Sequence, residues 1–236
     1  MRIVLILIIL TISKGIWGQA NLETWVEARA KAGFLVGHRS SMGHLVADHA
    51  YAGELSIYFR PDDQKAWHEA FRNPLFGVTL FAGSVGNNEI LGAYYGAFSF
   101  ISFPFVKQSF YSLSGKMGAG IAYGTKVYDP ETNITNVAMS THVNAQISFG
   151  LESRFTFNKH TISFNLDMTH FSNGASKVPN LGINVPYVSL GYASKIREKN
   201  NSEVITKERT HSIEYGLMGM GSVQEVYPTQ GRKYPF

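Results

Sequence analysis

His170 and Ser172 stand two residues apart in the stretch 161–174, TISFNLDMTHFSNG. On an extended strand, side chains at this spacing project from the same face. An imidazole and a hydroxyl so placed are near hydrogen-bond reach, the arrangement in which a base activates an oxygen nucleophile for acyl transfer. Ile162, Phe164, Leu166 and Met168 share their parity, whereas Thr161, Ser163, Asn165, Asp167 and Thr169 take the other. The pair therefore continues an apolar row, where a polar group is costly without partners. In the next segment Val188, Leu190 and Tyr192 form a similar row, and Asn184 falls in their phase across Pro186. Three polar groups, His170, Ser172 and Asn184, thus converge on a greasy surface. Taken alone, an H-x-S pair fits equally a strand end running into a Ser172-Asn173-Gly174 loop.

Elements able to hold such a site are strands, because the recurring period from about residue 30 onward is two, not 3.6. The clearest case is 143–157, where Val143, Ala145, Ile147, Phe149, Leu151, Phe155 and Phe157 oppose Asn144, Gln146, Ser148, Glu152, Arg154 and Thr156. Similar alternation runs through 51–60 and 111–123. Eight strands are expected, at about 30–38, 51–60, 75–83, 93–105, 110–124, 138–157, 161–172 and 185–196. Glu54, Arg60, Lys116, Glu152, Arg154, Asp167 and Lys195 fall on the polar side of their strands. Charges of both signs on one side, with Phe and Tyr on the other, fit an ion-paired barrel interior and a lipid-facing exterior. The expected fold is all-β: an antiparallel transmembrane β-barrel of about eight strands, its lumen filled by side chains and so unsuited to a pore. The tight turn at Asn158-Lys159-His160 and the long polar loop 125–136 set the direction. With short turns in the periplasm and long loops outside, the 170–172 end reaches the outer leaflet.

Composition agrees with a secreted chain. Residues 1–18 combine a basic start, a short apolar run and small residues near Gly18, the pattern of a signal peptide. The run is too short for a membrane helix. There is no cysteine, so the fold must be stable without disulfides. The net charge of +4 comes without a basic cluster interleaved with aromatics, which argues against nucleic acid as a partner. The organisation expected is a leader over 1–18, a barrel bearing the site over 19–197, and a segment 198–236. That last segment is either an extension or part of a larger barrel missing further strands, since 211–217 alternates again.

The sequence His170-Phe171-Ser172-Asn173-Gly174 at a strand end resembles the H-x-S-N-[AG] motif of lipid A 3-O-deacylases, and the stretch HFSNGASKVPNLGIN continues that pattern through Pro179, Asn180, Gly182 and Ile183. It is also similar to the site of outer-membrane phospholipase A. Both families place a third member 14 residues after the histidine, here Asn184. The deacylases carry glutamate there and the phospholipase asparagine. The resemblance implies an outer-membrane esterase: Ser172 attacks, His170 is the base, and Asn184 orients the imidazole. Asn173 or Gly174 would supply the oxyanion donor, with the resemblance pointing to Asn173. Phe164, Leu166, Met168 and Leu190 would flank the acyl chain. The substrate implied is lipid A or lipopolysaccharide, cleaved without a cofactor or metal. A phospholipase reading would add calcium, for which no ligand set is evident, and a scaffold barrel without catalysis is the third alternative. Neither oligomeric state nor the acyl position follows from the sequence. His38, His44 and His49 with Asp48 match no familiar metal spacing and read as a solvated outer loop.

Overall fold

A computed structural model describes residues 22–61 and 66–198, with two short strands, Val223–Glu225 and Lys233–Pro235, beyond them. The expected leader and most of 198–236, including the alternating 211–217, lie outside the described residues. Eight antiparallel strands close into a barrel: β1 (Glu23–Phe34), β2 (His49–Arg60), β3 (Leu75–Ser84), β4 (Ala93–Lys107), β5 (Tyr111–Gly124), β6 (Val143–Phe157), β7 (His160–Ser172) and β8 (Ile183–Arg197). Each strand pairs with its sequence neighbour, and β1 pairs with β8. Both edges of the sheet are taken, so the barrel closes at eight and has no place for the further strands considered above. Strand lengths of 10–15 residues suit tilted transmembrane strands.

The period-two pattern is obeyed on both faces. Leu55, Val78, Leu80, Met117, Ile121, Phe149, Leu166, Val188 and Leu190 point outward and are uncovered by protein. Glu54, Ser56, Thr79, Glu152, Arg154 and Ser163 point inward and are buried. The β1 strand lies earlier than expected, starting at Glu23 instead of near residue 30. Over residues 27–32 its outward positions are the small Ala28, Ala30 and Ala32, and its inward ones are Glu27, Arg29 and Lys31. Charges inside and alanines outside leave almost no hydrophobic alternation to read. The β6 strand likewise begins at Val143 rather than 138.

A charge network fills the lumen. Arg29 pairs with Glu27 at 2.9 Å and Glu152 at 2.8 Å, and Arg154 with Glu27 at 2.7 Å and Glu152 at 2.6 Å. Lys31 joins Glu54 and Asp167, both at 2.8 Å. Arg154 also donates to the Tyr58 hydroxyl at 2.8 Å. The network needs a gap in the wall at Gly191, where an added Cβ would lie 2.6 Å from Glu27 Oε1 and overlap Ser163 Oγ. Arg60 and Lys195 sit apart at the other rim, each 3.2 Å from Glu23.

Apolar packing concentrates at the end of the barrel where β7 finishes. Four connections meet there: 35–48, 85–92, 125–142 and 173–182. Leu35, Met42, Leu45, Val85, Leu91, Ala138 and Met139 from these loops are buried beside Phe81, Tyr94 and Phe171 of the strands. Phe171 is central, 4.7 Å from the Tyr94 ring and 5.8 Å from Phe81 between centroids. In the 125–142 loop, Asp129 accepts hydrogen bonds from the Thr132 and Glu131 amides, which hold its carboxyl below the usual aspartate range. At the opposite end the turns at 108–110 and 158–159 are short, and the β2–β3 connection includes a short helix, α1 (Ala66–Ala70).

Candidate active site

The end of β7 is held by the residue that points the other way. Phe171 is driven into the apolar cluster, so His170 and Ser172 must face outward from the same strand end. On β8, Ile183 and Val185 are buried inward and Asn184 faces out with His170. The strand register sets His170 directly opposite Asn184, and Pro186 opposite Met168, with no slip in the ladder. Pro186 therefore leaves the phase of Asn184 intact.

His170 Nδ1 lies 2.6 Å from Asn184 Oδ1. An amide oxygen only accepts, so Nδ1 carries the hydrogen and Nε2 keeps a lone pair. That is the tautomer a general base needs. Gly182 makes room for the ring: its φ is +77°, and a Cβ there would sit 3.0 Å from His170 Cε1.

Ser172 Oγ accepts two hydrogen bonds, from the Gly174 amide at 3.1 Å and from Asn180 Nδ2 at 3.0 Å. Its partners are thus two N–H donors and not the imidazole. Gly174 has a φ of +63° with open space around its α-carbon, so its amide can approach the serine closely. Asn173 is used differently from the expectation. Its backbone N–H donates to Asn180 Oδ1 at 3.2 Å, and its side-chain Nδ2 donates to Ser140 Oγ at 3.1 Å and Lys177 O at 2.9 Å. Both donors are committed to bracing the 173–182 loop, and the side chain points into that loop instead of toward Ser172. Asn180 was legible as part of a motif, but its contact with Ser172 comes from loop closure.

Below the His170–Asn184 pair an open groove of about 570 Å³ crosses the outer wall from β6 to β1. Phe149, Leu151, Leu166, Met168, Pro186, Val188, Ala32 and Phe34 line it, with His49 at its edge. The Met168–Pro186 pair lies two residues along from His170–Asn184, about 7 Å down the strands. Of the four expected flanking residues, Leu166 and Met168 line the groove. Phe164 and Leu190, which pair with each other further down, face the same side but lie outside it. The groove reaches across β8 to Ala32, Gly33 and Phe34 of β1.

The three clustered histidines go to separate places. His38 Nε2 is 3.0 Å from Leu181 O and its Nδ1 is 3.1 Å from Asn184 Nδ2. His44 Nε2 is 2.7 Å from Thr135 O, and exposed His49 sits beside Asp48. The contact of His38 with Asn184, across 146 residues, has no signal in the local sequence.

The model of a protein family described as lipid A 3-O-deacylase (PagL) matches residues 51–193, more than half of the chain. No curated protein sequence matches it. Among solved structures, the outer membrane enzyme PagL is similar at 17% identity and a TM-score of 0.46, covering 72% of this chain and 99% of that one. Neisserial surface protein A is similar at 13% identity and a TM-score of 0.47, over 73% and 97%. The N-terminal β-barrel domain of Pseudomonas aeruginosa OprF is similar at 13% and 0.41, over 73% and 98%.

Proposed function

The chain belongs to the lipid A 3-O-deacylase family, and on that premise we propose that it is an outer-membrane esterase that removes an ester-linked acyl chain from lipid A through Ser172, His170 and Asn184. The observation that carries this reading is the His170–Asn184 hydrogen bond at 2.6 Å on the lipid-facing wall, two residues from Ser172. It leaves His170 Nε2 unprotonated and able to accept a proton.

In the reaction, Ser172 turns about its Cα–Cβ bond to meet His170 Nε2, which takes the hydroxyl proton as Oγ attacks the ester carbonyl. The Oγ–acyl bond forms, the ester C–O bond breaks, and His170 returns the proton to the departing sugar hydroxyl. Water then repeats the sequence, releasing the fatty acid and restoring Ser172. The Gly174 amide and Asn180 Nδ2, both within 3.1 Å of Oγ, are the donors best situated for the carbonyl oxygen as it becomes negative. Asn184 is neutral, so it orients the imidazole but stabilises the imidazolium less than a carboxylate does.

The groove fits the acyl chain. An acyl chain already lies among lipid tails, so apolar contact alone gains little. The groove acts by shape, holding the ester next to Ser172. A lateral site of this kind suits a substrate that stays in the membrane. The four connections gathered at the site end favour the outer leaflet, because long loops lie outside in bacterial barrels. Asn184 favours phospholipid as the second substrate to test.

The test is to refold the protein in detergent, add lipopolysaccharide or phospholipid, with and without calcium, and weigh the products beside Ser172→Ala. Loss of one acyl chain from lipid A, absent in the variant, is the expected result. Cleavage of phospholipid alone would move the chain to a phospholipase reading, and no change in either lipid would leave a structural barrel.

A further inference from the structure

We propose that His38 is a positioning residue that selects the orientation of the Asn184 amide and, through it, the tautomer of His170. The proposal rests on the esterase reading for its catalytic consequence but not for its structural content.

A carboxylate at position 184 would accept hydrogen bonds from any side. An amide offers an acceptor at one end and a donor at the other, and nothing in Asn184 itself decides which end meets His170. With Oδ1 toward His170, Nδ1 carries the hydrogen and Nε2 is a base. With Nδ2 toward His170, Nδ1 must accept, the hydrogen moves to Nε2, and the ring cannot take the serine proton. The choice therefore needs a reader on the far side of the amide.

His38 is that reader, and the polarity of the chain of bonds is set by a group that cannot be reversed. The Leu181 carbonyl only accepts, so His38 Nε2, 3.0 Å away, must donate. A neutral imidazole donating from Nε2 has its lone pair on Nδ1. Asn184 Nδ2 donates to that lone pair at 3.1 Å, which turns Oδ1 to His170 Nδ1 at 2.6 Å. Leu181 is itself fixed by its amide, which donates to Val137 O, and the next amide, of Gly182, donates to Ala138 O at 3.1 Å. His38 comes from the β1–β2 connection, outside the matched segment 51–193. Through the 3.1 Å contact, Asn184 and His38 act as one device.

The experiment compares wild type, His38→Phe, His38→Gln, Asn184→Glu and the His38→Phe/Asn184→Glu double variant, all refolded in detergent, with Ser172→Ala as the inactive control. Two readouts are taken. Nitrogen-15 shifts of the histidine rings report the His170 tautomer, and kcat and KM are measured on a short-chain p-nitrophenyl ester. His38→Phe is expected to mix the two tautomers and to lower kcat about tenfold, the effect of losing one neutral hydrogen bond, with KM near that of wild type. Glutamine can accept through Oε1 and donate through Nε2, so His38→Gln is expected to restore both readouts. In the Asn184→Glu background the loss caused by His38→Phe should disappear. An unchanged His170 tautomer in His38→Phe would overturn the proposal, as would an equal loss of kcat in both backgrounds. If wild type is no more active than Ser172→Ala, the esterase reading fails, and the ring shifts still decide the role of His38.

Discussion

Asn180 spans two neighbours, donating from Nδ2 to Ser172 Oγ and accepting at Oδ1 from the Asn173 amide. Because one end of its amide is anchored on the backbone, the other is held in place, and under the proposed esterase reading such a fixed donor needs no conformational search during the reaction. Asn180→Ala is expected to lower kcat by about 10²-fold, the effect of losing one donor to the developing oxyanion, with little change in KM on the same ester. Steady-state kinetics beside Asn173→Ala separate the two asparagines, since Asn173 braces the loop through Ser140 and Lys177 and its loss should lower the yield of folded protein. The residue types at 170, 172 and 184 were readable because period two assigns a face to each. The parts played by Asn180 and His38 were not, since both depend on where a loop returns.

At the scale of elements, β1 does two jobs with opposite faces. Glu27, Arg29 and Lys31 supply three of the seven charged residues in the lumen network described above, and Ala28, Ala30 and Ala32 leave the outer wall low beside β8. The groove reaches β1 at Ala32, the last of these alanines, beside the bulkier Phe34. Ala32→Trp, on the groove floor, should fill it. Hydrolysis of a long-chain ester is expected to fall about tenfold more than that of a short-chain ester, the scale of discrimination a hydrophobic pocket provides. Equal losses on both esters would instead mean that the substitution disturbs the strand. The same feature explains why β1 was placed too late from its sequence: alanines outside and charges inside give no apolar alternation.

For the whole molecule, the lumen is packed with buried, mutually paired charges, so breaking one pair is costly. Glu152 is fully buried and is shared by Arg29 and Arg154. Glu152→Ala would leave two guanidinium groups short of a counter-charge inside a low-dielectric barrel. Unfolding by urea, followed through the buried Trp25, should register a loss of about 3–5 kcal/mol. A loss below 1 kcal/mol would mean that water enters the lumen and solvates the arginines.

Sequence alone determined an all-β barrel of about eight strands, the faces of β2, β5, β6, β7 and β8, and the shared outward face of His170, Ser172 and Asn184, because strand periodicity is a local steric property that survives without knowledge of partners. It also assigned the charged residues of β2, β5, β6 and β7 to the interior. Tertiary structure decided what depends on contacts between distant segments. Closure of β1 on β8 fixed the strand count at eight, and the 173–182 loop turned Asn173 away and brought Asn180 to Ser172. The fold also brought His38 to Asn184 across the β1–β8 seam. A hydrogen bond between residues so far apart in the chain has no periodic trace, and only the closed barrel makes them neighbours.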